Sequence, residues 1–222
     1  AMLLKLHGVL APDDVADVRR IVEAATFVDG AVSGKATLKK NLQAARGTEE
    51  FTAAIQKTVS ALMANAEFKN YAVPKQVTLE FNRYDPGMFY KNHMDAPLMG
   101  GIRNQPMRTD LAFTVFLTDP RSYEGGEFVL QTPYGEQCVK EDAGNAIVYP
   151  ANMIHRVEPV TGGTRWAAVG WIQSMVRDDA RREILAEVMQ LREKVVVAFP
   201  DSELQERFDR LHGNLVRLWA EV

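Results

Sequence analysis

Apolar and polar positions along the chain fall into three rhythms. From residue 1 to about 72 the spacing is helical. Val15, Val18, Ile21, Val22 and Ala25 recur at intervals that place them on one helix face. Pro12 followed by Asp13 and Asp14 reads as that helix's start, a proline preset for the first turn and then acids beside the positive helix end. A polar stretch holding Gly30 and Gly34 interrupts the pattern. A second helix is expected from about Thr48 to Ala66, striped by Phe51, Ile55, Val59, Leu62 and Met63.

From about 73 to 176 the period shortens to that of strands. Short β-rich runs cover Val77 to Tyr84, Phe89 to His93, Asp110 to Leu117, Glu127 to Gln131, Glu136 to Val139, Ala146 to Tyr149, His155 to Val160 and Arg165 to Ser174. Turn signals separate them: Asp85-Pro86-Gly87, Gly125-Gly126, Pro133-Tyr134-Gly135, Ala143-Gly144 and Gly162-Gly163. Eight short strands at such intervals predict a double-sheet jelly roll. From 177 to 222 the helical rhythm returns, in Ile184, Val188, Leu191 and Val195 and then in Leu204, Phe208, Leu211, Leu215, Leu218 and Val222. Between the two runs, Pro200 ends one helix and Asp201 or Ser202 caps the next, with Gln205 placed for a capping box on Ser202. The expected class is α+β: N-terminal helices, a jelly-roll core and a C-terminal helical hairpin, whose seam offers a surface for self-association into a homo-oligomer.

Composition narrows the function. The 222 residues are 46% hydrophobic and 25% charged, as in a globular domain, and the net charge is -3. Such a balance lacks the basic field that holds a phosphate backbone, so no nucleic-acid partner is expected. The stretch Lys35 to Lys40 reads as a solvated loop or a local anion contact. The single cysteine, Cys138, permits neither an internal disulfide nor a thiolate metal cluster, and reads as a small apolar filler. No apolar run approaches membrane-spanning length and no secretory signal is evident, so a cytoplasmic enzyme without a membrane partner is expected.

The chemistry concentrates in Tyr90-Lys91-Asn92-His93-Met94-Asp95. Residues two apart in a strand face the same side, so His93 and Asp95 can both enter a barrel interior. A carboxylate buried beside an imidazole is costly unless something pairs them, and a divalent metal does so. The chain holds four histidines, His7, His93, His155 and His212. His155 enters a late strand 60 residues after Asp95, room enough for the chain to return across the barrel. Two histidines and a carboxylate form the facial triad of non-haem iron(II), although zinc enzymes use the same ligand types. Arg165 lies ten residues past His155, across the Gly162-Gly163 turn. Inside the same barrel it needs an anion, and its planar fork suits a carboxylate. 2-Oxoglutarate has that shape. The spacing alone leaves open a metal-dependent cupin acting as isomerase or hydrolase, and a binding module for iron or a metabolite.

His-x-Asp, Gly125-Gly126-Glu127, Gly144 through Pro150, His155, Pro159-Val160, Arg165 and Trp171 occur in an order that resembles the iron(II)/2-oxoglutarate dioxygenase superfamily. The likeness is to its prolyl-4-hydroxylase-like branch, and more narrowly to the bacterial PKHD-type hydroxylases, over nearly the whole chain. The resemblance implies a double-stranded β-helix core, the jelly roll read from strand spacing. It implies His93, Asp95 and His155 as iron(II) ligands and Arg165 as the 2-oxoglutarate anchor. Tyr84 falls near a position where relatives place a tyrosine close to the co-substrate. Phe116 stands about where some prolyl hydroxylases have a tyrosine bonding the distal carboxylate, a bond a phenyl ring cannot make. Residues 1–176 then form the dioxygenase domain, with N-terminal helices over 1–72 and the core over 73–176, and 177–222 a helical extension. The expected reaction hydroxylates a small-molecule or peptidyl substrate with O2, releasing succinate and CO2, with L-ascorbate as a further cofactor by analogy. Trp171 reads foremost as core packing, and Tyr84 and Tyr90 stand evenly between sheet packing and the site.

Overall fold

The computed structural model describes residues 3–33, 38–45, 47–99, 106–200 and 203–221. Two antiparallel sheets carry the fold. The larger runs, in spatial order, Leu4–Leu6, Ala146–Pro150, Leu111–Phe116, Arg165–Ser174, Pro74–Tyr84, Leu42–Ala44 and Phe27–Asp29. The smaller runs Gly135–Val139, Phe128–Thr132, His155–Val157, Phe89–His93 and Lys39–Lys40. The sheets face each other: Ala112, Phe116, Ile147 and Tyr149 of the larger pack on Phe128, Leu130 and Val139 of the smaller. This is the expected jelly roll, and each of the eight expected strands is present. The run from His155 to Val160 divides into His155–Val157 and Val160–Gly162. Pro159 between them has no N–H to give to a ladder.

Helices cover the outer face of the larger sheet. Helix α1 (Pro12–Glu23) starts at its proline, with Asp13 and Asp14 in the first turn. Helix α2 (Glu49–Ala64) starts where the Thr48 side chain accepts a hydrogen bond from the Phe51 N–H at 3.1 Å, and α3 (Ala66–Ala72) starts on the Asn65 side chain in the same way. Phe51, Leu62 and Phe68 from these helices bury against Leu79, Phe81, Leu111, Phe113 and Val115 of the sheet. The Leu111–Phe116 strand is therefore buried along its whole length, with helices on one face and the barrel interior on the other. Each large apolar side chain so buried contributes roughly 1.5–3 kcal/mol.

The spacing predicts a helical N-terminal zone, and the structure corrects this: the zone is only partly helical. It also holds the strands Leu4–Leu6, Phe27–Asp29, Lys39–Lys40 and Leu42–Ala44. Strands of two or three residues are too short to show an alternation, and tertiary pairing determines them. Gln43 pairs with Asn82 on the larger sheet while Lys39 pairs with Tyr90 on the smaller, so this segment turns across the open side of the barrel. At the C-terminus, α4 (Asp179–Ala198) and α5 (Leu204–Trp219) form a hairpin held partly by the Arg192–Asp209 ion pair. Leu185 of α4 packs on Val73 and Val176, with Leu215, Val216 and Trp219 of α5 against them. The expected caps Asp201 and Ser202 lie outside the described residues, as do Gly34 and Val222 of the expected patterns. Cys138 is exposed on the edge strand Gly135–Val139 and is not the apolar filler its residue type suggested. Among the described residues no helix is long and apolar enough to cross a membrane.

Candidate metal and co-substrate site

His93 and His155 sit directly opposite each other in the smaller sheet, at the ends of their strands. Asp95 follows just beyond the Phe89–His93 strand, rather than within it, and folds back toward both rings. Its Oδ1 lies 3.9 Å from His93 Nε2 and 3.8 Å from His155 Nε2. One ligand atom from each residue falls within 4.8 Å of the others, close enough to share one cation. His7 and His212 take no part in this cluster.

Each ring is held by the same local device. His93 Nδ1 donates to the Lys91 carbonyl at 2.8 Å, and His155 Nδ1 to the Met153 carbonyl at 3.0 Å. With the proton on Nδ1, both Nε2 lone pairs face Asp95. Burial, with His155 nearby, pulls His93 down to about 3, so its imidazole is neutral and a competent ligand across the physiological range. Burial raises the Asp95 carboxyl, while His155 and then the Trp171 indole lower it. Asp95 Oδ2 is buried with no hydrogen-bond partner. A divalent cation would satisfy that oxygen and keep the carboxylate ionised. The donor set, two imidazoles and one carboxylate with open positions, suits iron(II).

Aromatic rings enclose the cluster. Tyr90 stacks on His93 at 3.5 Å between ring centres, and Tyr149 stands edge-on to His155 at 5.1 Å. Tyr84, Tyr90 and Tyr149 line the same cavity as the triad, and Trp171 joins them while also packing against the core between the sheets. Burial raises all three phenols, Tyr90 to about 12, so each stays protonated as a neutral hydrogen-bond donor.

Arg165 pairs in register with Tyr84 at the other end of the Arg165–Ser174 strand from Trp171. It is 1 % exposed, and Nε, Nη1 and Nη2 all lack hydrogen-bond partners. Its guanidinium carbon lies 5.3 Å from the Tyr84 ring and 5.7 Å from the Phe116 ring, so Phe116 packs on it without bonding. The buried Tyr123 hydroxyl makes no well-formed hydrogen bond either, although it stands close enough to Arg165 for the guanidinium to be the main influence holding that phenol down against burial. Gly125-Gly126 makes the room. A Cβ on Gly126, at φ +67°, would stand 3.1 Å from Arg165 Cδ and 3.1 Å from the Tyr123 ring. On Gly125 it would meet the Pro159 carbonyl oxygen. The orphaned guanidinium and phenol form a cradle that fits a carboxylate.

The sequence profile of the 2OG-Fe(II) oxygenase superfamily matches residues 79–173. The chain is 39% identical over 223 residues to a PKHD-type hydroxylase of Gloeothece citriformis, covering 99% of this chain and all of that one. The chain belongs to the PKHD-type hydroxylases of the 2OG-Fe(II) oxygenase superfamily. A PKHD-type hydroxylase of a Picosynechococcus species is 40% identical over 227 residues, again end to end. A prolyl hydroxylase of Trichoplax adhaerens, solved with a peptide fragment of hypoxia-inducible factor, has the same fold, with TM-score 0.59 at 17% identity over 82% of this chain and 86% of that one. The chain is thus an iron(II)- and 2-oxoglutarate-dependent oxygenase, which separates it from the cupin isomerases and hydrolases that the ligand spacing left open.

Some cavity residues were legible and unused. Glu80 and Asn82, on the same strand face as Tyr84, alternate with Leu79 and Phe81, and a polar face on a strand that is otherwise deep core marks a cavity. Arg165, Ala167, Val169 and Trp171 share one strand face by the same rule, which brings Trp171 inside. Tyr123, two residues before Gly125, carried no spacing signal. Lys39 is 5 % exposed and ion-paired with Glu80, a local anion contact, while its neighbour Lys40 is exposed. Lys35 to Thr37 lie outside the described residues.

Proposed function

We propose that His93, Asp95 and His155 hold iron(II), and that Arg165, with Tyr84 and Tyr123 beside it, receives the distal carboxylate of 2-oxoglutarate. The observation that carries this reading is the Arg165 guanidinium, buried with no partner on any nitrogen. An unpaired buried charge costs several kcal/mol, and a carboxylate matched to a planar fork relieves that cost. The iron, when bound, supplies the activation of O2. The chain's own residues orient and exclude: the Nδ1 hydrogen bonds fix the imidazoles, Trp171 steadies Asp95, and Tyr90, Tyr149 and Phe128 keep bulk water from the ligands. The balanced reaction converts a C–H bond, O2 and 2-oxoglutarate into C–OH, succinate and CO2. The substrate is a small molecule or a peptidyl residue, and L-ascorbate maintains the reduced metal. The enzyme works in the cytoplasm, with neither nucleic acid nor membrane as partner.

The division into a dioxygenase domain over 1–176 and a helical extension over 177–222 belongs to the same reading. The exposed Leu204, Leu211 and Leu218 of α5, seven residues apart, supply a seam through which the extension pairs two copies.

Succinate release from 2-oxoglutarate with iron(II) and O2, screened over small-molecule and peptidyl candidates, tests the reading. Stoichiometric succinate and hydroxylated product support it. Hydroxylation that proceeds without 2-oxoglutarate contradicts it.

A further inference from the structure

The cavity has a second buried polar wall that neither the triad nor Arg165 accounts for. Glu80 and Asn82 precede Tyr84 on the interior face of the Pro74–Tyr84 strand. Lys39 reaches in from the edge of the smaller sheet and also lines the cavity. Its Nζ stands 3.7 Å from Glu80 Oε1 and 5.2 Å from the centre of the Tyr90 ring. The two charged side chains are 4% and 8% exposed. Gln43 Nε2 donates to Glu80 Oε2 at 2.6 Å, and Asn82 Nδ2 to Oε1 at 3.4 Å.

Register places this wall near the proposed metal position. Tyr84 pairs with Arg165, Glu80 with Val169 and Thr78 with Trp171. Glu80 is therefore four residues, roughly 13 Å, from the Arg165 level, and two residues, roughly 7 Å, from the level of the indole that serves Asp95. Stability does not explain the pair. Apolar side chains of similar volume commonly match or exceed a buried ion pair in stabilising a fold.

We propose that Lys39 and Glu80 are the specificity determinants for the substrate, selecting an uncharged group that carries both a hydrogen-bond donor and an acceptor, for which an amide is the simplest chemistry. The proposal rests on the metal and co-substrate reading above. Charge balance is its basis. The two carboxylates of 2-oxoglutarate match the two charges of iron(II), Asp95 matches Arg165, and Glu80 matches Lys39. The loaded site, the cavity together with the neighbouring Arg165, is neutral, so a cationic or anionic substrate group would enter with no counter-charge, whereas an amide would meet an ammonium with its carbonyl and a carboxylate with its N–H.

The test uses the full chain loaded with manganese(II), an unreactive substitute, and 2-oxoglutarate. Binding of N-acetylglycinamide, N-acetylglycine and glycinamide is read from the paramagnetic relaxation that the metal imposes on ligand protons. The neutral amide is expected to bind about tenfold more tightly than either charged analogue, the scale of one unpaired charge at a partly hydrated site. Lys39→Met is expected to move the preference toward cationic glycinamide, and Glu80→Gln toward anionic N-acetylglycine. The double variant Lys39→Met/Glu80→Gln removes both charges, so it keeps the fold and shows neither shift. The same ranking of the three ligands in all four proteins would overturn the proposal, as would relaxation of N-acetylglycinamide no greater than with manganese in buffer. Persistence of the free-manganese resonance spectrum with the unsubstituted protein would overturn the metal reading, and this proposal with it.

Discussion

A guanidinium that is 1 % exposed with three unpartnered nitrogens makes Arg165 the residue to test as the proposed seat of the co-substrate carboxylate. A charge-assisted hydrogen bond to a carboxylate contributes roughly 1.5–3 kcal/mol, so loss of even one in Arg165→Ala is expected to raise the half-saturating 2-oxoglutarate concentration by about 10- to 150-fold. Metal binding should be unchanged, because His93, Asp95 and His155 do not depend on that side chain; succinate assays and metal titration separate the two effects. Gly126→Ala tests the cradle from the backbone side. Its Cβ would stand 2.9 Å from Val160 Cγ2 and 3.1 Å from Arg165 Cδ, at a φ of +67° that side chains disfavour. The expected outcome is weaker 2-oxoglutarate binding with the metal site intact, measured by the same pair of assays. The triad and Arg165 were legible because ligand chemistry restricts residue type and strand geometry restricts spacing. Tyr123 and Lys39 were not. Each reaches the site from a short or irregular segment, where no period exists to place a side chain.

At the scale of elements, the strands and helices follow from periodicity, caps and punctuation. The helix start at Thr48 is the plainest case. Its hydroxyl accepts from the Phe51 N–H at 3.1 Å, and Phe51 is itself a buried contact between α2 and the larger sheet. Thr48→Ala is expected to cost about 1 kcal/mol in urea unfolding, without loss of metal binding. The run through Leu111–Phe116 was legible as a strand from its β-rich residues, and its burial on both faces shows why it lacks alternation. The four short N-terminal strands were not legible, since two or three residues cannot display a period of two. They bear on the proposed substrate wall because Lys39 and Gln43 ride on them, and the segment from Lys39 to Ala44 joins the two sheets beside the cavity.

Over the whole molecule, the larger sheet is sandwiched between the helices and the cavity. The helices bury one face, which holds the strands rigid, and the opposite face presents Glu80, Asn82, Tyr84, Arg165 and Trp171 to the interior. Rigid strands suit a site whose ligand atoms must stay within 4.8 Å of one another before any cation arrives. Asp95 Oδ2, the Tyr123 hydroxyl and the three Arg165 nitrogens are among the polar groups buried without partners, and these five belong to the proposed iron and 2-oxoglutarate positions or stand beside them. The central claim is that one metal and one keto acid satisfy these groups together. The most direct measurement is a crystal structure grown without oxygen in iron(II) and 2-oxoglutarate. It should show iron bound by His93 Nε2, Asp95 and His155 Nε2, chelated by the keto acid, with the distal carboxylate on Arg165. Iron bound elsewhere, or 2-oxoglutarate lying away from Arg165, would contradict it.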